Sequence, residues 1–201
     1  NNQASWVGDG WDYQPGFIER SYKNCSEDGP PGSADECWAG DNAVLSLGGH
    51  TTRLIPTGSG NSWRLQADDG SVVSELSGAA NGLNDGSYWQ VTTADGTRYF
   101  FGADHLPTSV GGNGSDSSTQ AAWGVPVFGN DPGEPCHGSS FDASRCLQGY
   151  RWNLDFVADP HQNVTVYRYT PETNYYAAGV GDTLVSYVRG GVPASISYGQ
   201  Q

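Results

Sequence analysis

The chain has 201 residues, of which 36% are hydrophobic, and it carries a net charge of −13 with only nine Lys and Arg residues. That length supports one sizeable core or two small ones. The charge disfavours binding to nucleic acids and to anionic membrane surfaces, which need clustered basic side chains. No run approaches about 18 apolar residues, so no membrane insertion is expected. The 29 Gly and 11 Pro residues separate short apolar runs, which predicts many short strands and little helix.

The N-terminal part is predicted to contain short strands joined by glycine-rich turns. A segment rich in aromatic residues includes a first short strand at residues 17–20. After a cysteine-containing loop, alternating apolar and polar residues predict a strand over residues 43–47, which ends at Gly48-Gly49. No segment shows a sustained helical period, so the helix content is expected to be small.

A β-hairpin unit then repeats along the chain. One copy starts at Trp63 and the next at Trp89, and in both an Asp-Gly pair follows six residues after the Trp. Asp-Gly suits the positive φ of a tight turn, so each copy is predicted to be a β-hairpin. A looser third copy starts at Trp152, turns at residues 159–163 and returns over residues 164–169. Because the three tryptophans hold matching positions, we expect them to pack in one core.

The remaining segments complete a single module over residues 1–201. Residues 108–122 are polar and of low complexity, which predicts a mobile surface loop, with a domain boundary as the alternative. The last predicted strand pair covers residues 184–189 and 194–198, with a turn at Gly190-Gly191. The expected fold class is all-β, with antiparallel hairpins stacked in a twisted sheet or in an open barrel or sandwich.

The four cysteines form two close pairs, Cys25 with Cys37 and Cys136 with Cys146. Four cysteines permit three connectivities, and we predict the local one because it closes two loops rich in Gly, Pro, Ser and Asp. Two such disulfides imply an oxidising compartment, so an extracellular protein is expected. The alternative is a zinc site with His137 beside Cys136, but the chain lacks the closely spaced cysteine pair typical of such sites.

Several groups of residues offer chemistry, but each has a simpler structural interpretation. Paired carboxylates suit glycoside hydrolysis or calcium binding, yet most of these acidic residues are typical of turns and no calcium-loop motif is present. The histidines lie in polar, turn-like segments, and no serine-hydrolase motif accompanies them. No catalytic, cofactor-binding or metal-binding residue is therefore assigned, with calcium as the single cofactor alternative. The residues concerned are Asp9, Asp12, Asp28, Asp35, Glu36, Asp68, Asp69, His50, His105, His137 and His161.

Two segments resemble the repeat unit of bacterial Rhs/YD-repeat proteins. In that unit a strand meets a D-x-x-G-N turn, and a second strand with aromatic residues returns. Residues 159–169, DPHQNVTVYRY, are similar to this unit, although Gln162 stands where the pattern usually has Gly, which puts the turn type in doubt. Residues 187–191, YVRGG, followed by ISYG at 196–199, resemble the next repeat.

The N-terminal GDGW at residues 8–11, with FIER at residues 17–20, is similar to the start of the shell in this family. The resemblance implies a large secreted protein whose repeats wind a β-sheet into a hollow shell, which encloses a C-terminal toxin. That shell is related to the shells of teneurin-like proteins. For this chain it implies a structural scaffold at the start of the shell, with no catalysis and no cofactor. The chain starts at Asn1 and contains no Met, so we interpret it as part of something longer.

The expected partners are the rest of the parent polypeptide or a second copy of the chain. The strand-like run at residues 195–198 lacks the Lys, Pro or covering helix that normally blocks a sheet edge, so an open edge is predicted there. The alternative function is a carbohydrate-binding or cell-surface-binding module. It would use Trp6, Trp11 and Trp38, which lie outside the hairpin repeat and are candidates for exposure.

Overall fold

A computed structural model describes residues 13–58 and 61–200 of the chain. Strands dominate this part, and its only helices are four single 3-10 turns, at Cys25–Glu27, Asn84–Gly86, Thr108–Val110 and Asp142–Ser144. None of the helices in the described ranges is long or apolar enough to cross a membrane. The predicted all-β class with little helix is confirmed. The strands are β1 (Phe17–Glu19), β2 (Lys23–Asn24), β3 (Glu36–Cys37), β4 (Ala43–Leu47), β5 (His50–Pro56), β6 (Ser62–Leu65), β7 (Val72–Leu76), β8 (Tyr88–Thr92), β9 (Arg98–Phe101), β10 (Ala122–Phe128), β11 (Arg145–Ala158), β12 (Val164–Ala178) and β13 (Thr183–Gln200).

Eight of these strands close into an antiparallel barrel in the order β1, β4, β5, β6, β7, β8, β9 and β11. Closure depends on β1, because this short strand pairs with β4 on one side and with β11 on the other. At its centre, Ile18 lies opposite both Leu45 and Trp152. The stacked hairpins therefore form a closed ring, in which each of the eight strands has a partner on both sides.

The barrel interior is filled by the three tryptophans of the sequence repeat. Trp63, Trp89 and Trp152 have exposed fractions of 6%, 0% and 0%, and their rings meet edge-to-face with centroids 5.1 and 5.9 Å apart. An eight-stranded barrel is just wide enough for side chains to fill it. The prediction that these residues share one core is confirmed. Around them pack Ile18, Ala43, Leu45, Leu54, Leu65, Val73, Leu83, Val91, Phe101 and Leu154.

Each of these tryptophans lies on the first strand of a hairpin, as its position in the repeat predicts. β6 pairs with β7, β8 with β9, and β11 with β12. The connecting turns are fixed by Asp69, Asp95 and Asp159, whose carboxylates each accept a hydrogen bond from the N–H two residues further along. This is the local chemistry for which aspartate is favoured in turns.

β10, β3 and β2 extend the barrel on one side, next to both disulfides. β10 pairs antiparallel with β11, and β3 runs parallel to β10. The predicted bonds Cys25–Cys37 and Cys136–Cys146 are both present. His137 therefore has no free thiolate beside it, and its Nδ1 instead lies 2.9 Å from the carbonyl oxygen of Gly129. Two disulfides are consistent with an oxidising, extracellular compartment.

β12 and β13 form a long hairpin that leaves the barrel. β12 pairs with β11 at only three positions but pairs with β13 at fifteen. The predicted turn at Gly190-Gly191 is wrong, because Gly190 lies opposite Glu172 and Gly191 opposite Pro171 within a continuous β13. Register shifts on either side of this point are β-bulges, which bend a strand without reversing it. The reversal lies between the two strands, at residues 179–182.

The segment at residues 108–122 departs in part from the predicted surface loop. Thr119 and Ala121 are fully buried. Thr119 Oγ1 donates a hydrogen bond to the Asp155 carboxylate at 3.1 Å, and Asn153 Nδ2 donates to the carbonyl of Ala121 at 2.9 Å. Residues 113–115 are exposed. The second half of this segment is therefore part of the packed structure, whereas its centre lies at the surface.

Candidate functional site

Exposed apolar side chains concentrate on the β12–β13 hairpin. Among the described residues, eight large hydrophobic side chains are exposed, and six of them belong to this hairpin or its turn. Such a concentration on one element is typical of a surface that contacts a partner. The six are Tyr175, Val180, Leu184, Val192, Ile196 and Tyr198, and their exposed fractions run from 46% to 77%.

β13 also has a free backbone edge. It pairs with β12 along its length, and no described strand pairs with its other side. Such an edge presents N–H and C=O groups that can pair with a further β-strand. Arg189 is the single charged residue of β13 and Pro193 is its single proline. The β-bulges of this strand also disfavour edge pairing. Residues 195–198 nevertheless carry neither a charge nor a proline, and we call this side of β13 the free edge.

Contacts near its middle hold the hairpin to the barrel. The rings of Trp123 on β10 and Tyr169 on β12 meet edge-to-face, with their centroids 6.3 Å apart. The Tyr169 hydroxyl donates a hydrogen bond to the carbonyl of Leu154 at 2.7 Å. Burial raises the pKa of this hydroxyl, so it stays protonated and remains a donor. Gly191 of β13 packs so closely that a Cβ there would lie 2.8 Å from the Trp123 ring and 2.7 Å from the carbonyl oxygen of Thr170.

A cluster of polar residues joins the loop between β9 and β10 to β11. Asp155 is fully buried and accepts hydrogen bonds from the Asp104 N–H at 2.8 Å and from Thr119 Oγ1 at 3.1 Å. Burial raises the pKa of the Asp155 carboxyl well above its ordinary value of 3.8, and its Oδ1 has no hydrogen-bond partner among the described residues. His105 lies 3.5 Å from both the Asp104 and the Asp116 carboxylates.

The charged groups of this cluster bond to neighbouring loop residues. Within the described ranges, no three His, Cys, Asp or Glu side chains are grouped so that they could hold a metal ion. The Asp104 carboxylate instead accepts hydrogen bonds from Ser118 Oγ at 2.6 Å and from the Gln120 N–H at 3.0 Å. The cluster therefore binds two loop segments to each other and to the barrel.

The paired carboxylates of the sequence have separate partners. Asp28 forms an ion pair with Lys23, the single lysine. Asp35 is buried and faces the hairpin turn, whereas Glu36 is exposed on β3. Asp68 and Asp69 each accept a hydrogen bond from a backbone N–H within their own turn. Asp9 and Asp12 lie outside the described residues.

The candidate ligand-facing tryptophans are only partly described. Trp6 and Trp11 lie outside the described residues. Trp38 is half-buried, with the Tyr22 ring 6.1 Å away and the Arg20 guanidinium 5.1 Å from its ring centroid. Arg20 is itself buried and forms an ion pair with Glu75 at 2.9 Å. Trp38 therefore packs beside a charged pair rather than standing free in solvent.

No family model, curated protein or solved structure matches this chain. The choice among functions therefore depends on the free edge, the exposed apolar side chains and the buried polar groups described above. Sequence reasoning missed Asp155 and Arg20. Asp155 is a lone polar residue between Leu154 and Phe156, a pattern that equally describes the outward face of a strand. Arg20 lies between the polar residues Glu19 and Ser21, so nothing local indicates its burial.

Proposed function

We propose that this chain is a structural β-module of a secreted Rhs/YD-repeat shell, and that the free edge of β13 receives a further strand of that shell. The supporting observation is that β13 pairs on one side only within the described residues and carries exposed apolar side chains. The two segments that resemble YD repeats lie on the β12–β13 hairpin and the turn that leads into it. One forms the β11–β12 turn with the start of β12, and the other lies within β13.

An added strand would satisfy both the backbone and the side chains of β13. Each new ladder position pairs N–H and C=O groups that otherwise face solvent. Ile196 and Tyr198 are two residues apart on an extended strand, so their side chains lie on the same face and are covered together. Their exposed fractions are 46% and 77%, which leaves substantial apolar area to bury. The barrel would then serve as the folded base from which the sheet continues.

The carbohydrate-binding alternative has less support. It depends on exposed tryptophans, and no Trp is among the exposed large hydrophobic residues of the described ranges. Trp38, the one candidate within those ranges, packs beside Tyr22 and Arg20. We therefore propose the scaffold role, without catalysis of its own.

Light scattering and hydrogen exchange on the purified chain test the scaffold proposal. Without a natural neighbouring strand, the free edge is expected to pair with a second copy, so the average mass should rise with concentration. Ile196→Lys places a charge on the edge and should return the chain to a monomer. Val72→Lys is the matched control, because Val72 is 64% exposed but lies on β7, which pairs on both sides.

Two results would contradict the proposal. One is a strict monomer at high concentration in which residues 194–199 are strongly protected from exchange. The other is association that Val72→Lys abolishes as completely as Ile196→Lys does. Either result would show that β13 does not present a usable edge.

A further inference from the structure

Both disulfide loops hold the turn of the β12–β13 hairpin. The Asp35 carboxylate, in the loop closed by Cys25–Cys37, accepts a hydrogen bond from the Gly179 N–H at 3.1 Å. The Asp142 carboxylate, in the loop closed by Cys136–Cys146, accepts one from the Val180 N–H at 2.8 Å. Two consecutive N–H groups of the turn are thus bound by carboxylates from two different loops.

The first disulfide fixes the position of Asp35. The Cys25 N–H donates a hydrogen bond to the Asp35 carbonyl at 2.8 Å, and Ser33 Oγ donates to its carboxylate at 2.7 Å. Asp35 is only 6% exposed, two residues before the bonded Cys37. Breaking the bond would free a loop of Gly, Pro and Ser residues whose unconstrained chain has many conformations. The carboxylate would then no longer be held opposite the turn.

Apolar contacts connect the same three segments. Cys25 and Cys37 are fully buried in one cluster with Phe128 of β10 and Ala178 of β12. Phe141, in the second disulfide loop, stacks on Phe128 with ring centroids 4.3 Å apart. The loops and the hairpin turn therefore share a small core. This core is separate from the tryptophan core of the barrel, which contains no cysteine.

We propose that the two disulfides form an oxidation-dependent clamp that holds the β12–β13 hairpin turn against the barrel. A dithiol reductant opens the clamp by supplying two electrons and two protons per bond. Each S–S bond breaks to give two thiols, while the reductant becomes a cyclic disulfide. The turn is then released and the barrel stays folded. The clamp rests on the proposed function only for its consequence, which is that strand addition at the free edge depends on oxidation.

Hydrogen exchange of the 201-residue chain, before and after reduction by a dithiol, tests the clamp. Measurements at a concentration where the chain is monomeric keep the result independent of edge pairing. Amides of residues 176–186 are expected to exchange at least about tenfold faster after reduction, while β5 to β8 keep their protection. Unchanged exchange of the turn with all thiols free would overturn the clamp. Simultaneous loss of protection in the barrel strands would also overturn it, because the disulfides would then stabilise the whole fold.

Variants of the oxidised protein test the carboxylates directly. Asp35→Ala and Asp142→Ala should each speed exchange of residues 179–182 severalfold, because each removes one acceptor from the turn. Glu27→Ala is the control, since Glu27 lies in the first disulfide loop and its exposed side chain makes no hydrogen bond with the described residues. If both Asp variants exchange as the Glu27 variant does, the carboxylates do not hold the turn. Failure of the light-scattering test with a positive result here would reject strand addition and keep the clamp.

Discussion

The barrel and the β12–β13 hairpin are both antiparallel β-structure, but they bury their side chains to very different extents. In the barrel every strand has two partners, and Trp152 is completely buried. In the hairpin β13 has one partner among the described strands, and Tyr198 is 77% exposed. The difference comes from closure, since a closed sheet encloses one face and pairs each strand on both sides, whereas a projecting hairpin does neither.

This comparison shows where each region obtains its stability. The barrel is stabilised by its own enclosed aromatic core. The hairpin depends on contacts made elsewhere, namely Trp123 and Tyr169 at its middle and the two disulfide loops at its turn. Substitutions in the barrel should therefore change the free energy of unfolding strongly, whereas substitutions in the hairpin should change it less and act more locally.

The largest effect is expected from Trp152→Ala in the barrel. This change should lower the free energy of unfolding by about 3–5 kcal/mol, because it removes a large buried aromatic and leaves a cavity. Gly102 and Gly149 pack directly against the Trp152 ring. Because glycine has no side chain, neither residue can fill the cavity that the ring leaves. Urea denaturation gives the measurement, with Tyr198→Ala in the hairpin as the control that should change stability by less than about 0.5 kcal/mol. Similar values for the two variants would remove the contrast between the regions.

Glu75→Gln should lower the free energy of unfolding by about 3 kcal/mol, because this change leaves the buried Arg20 guanidinium without its charged partner. Burial raises the pKa of the Glu75 carboxyl, and the neighbouring Arg20 opposes that shift. The pair thus lies where charges are costly unless they are matched. Denaturation of Arg20→Met/Glu75→Leu beside the single variant is the control, since removing both charges should be much less harmful. A double variant that is as unstable as Glu75→Gln would argue against this explanation.

A smaller loss, about 1–3 kcal/mol, is expected from Gly191→Ala at the middle of the hairpin. The new Cβ would lie 2.8 Å from the Trp123 ring and 2.7 Å from the Thr170 carbonyl oxygen, so β13 must move away from the barrel. Gly190→Ala is a matched control, because a Cβ at Gly190 has nothing within 4 Å. Denaturation and hydrogen exchange of β13 should change for Gly191→Ala alone. Equal behaviour of the two variants would show that the hairpin is not held at this point.

Asp155→Asn is expected to change how the free energy of unfolding depends on pH. Asp155 lies on β11 and accepts hydrogen bonds from Asp104 and Thr119. Burial raises the folded-state pKa of Asp155 above 3.8, so its contribution to stability is full below that pH and is lost as the pH rises through the folded pKa. Asn does not titrate, so the variant should gain stability relative to the wild type from pH 3.8 upwards. Asp95→Asn should show the opposite slope, because hydrogen bonds from Thr93 and Thr97 lower the pKa of Asp95. Urea denaturation at a series of pH values gives these slopes. If the free energies of unfolding of both variants change with pH in the same direction relative to the wild type, the raised pKa of Asp155 is contradicted.

The local features of the fold could be predicted from the sequence. The Trp residues and Asp-Gly turns define the hairpins, and the two short cysteine loops define the disulfides. Residues 195–198 were recognisable as an open edge, because they lack charged residues and proline. Barrel closure was not predictable, since β1 pairs with residues 151–153 more than a hundred positions away and leaves no local pattern.

The missed features have a common physical reason. Gly190-Gly191 is typical of a turn, but here glycine allows close packing against Trp123 rather than a chain reversal. Asp155, between Leu154 and Phe156, fits a strand with one polar face, yet β11 is covered on both sides. In each case the tertiary neighbours, which the local sequence does not encode, decide the role of the residue.

The smallest effect is expected from Glu172→Gln in the hairpin, which is the same change as Glu75→Gln in the barrel. Glu172 lies 2.9 Å from Arg189, and the two side chains are 61% and 59% exposed. Exposed pairs contribute about 0–1 kcal/mol, and salt at about 1 M screens them. A double-mutant cycle with Arg189→Gln, measured on the monomer, should therefore give a coupling below about 1 kcal/mol that disappears at high salt. At concentrations where chains associate, an added strand would shield the pair from water, and the coupling should rise and persist in salt. A coupling that stays small and salt-sensitive in the associated state would place the partner elsewhere than on the free edge of β13.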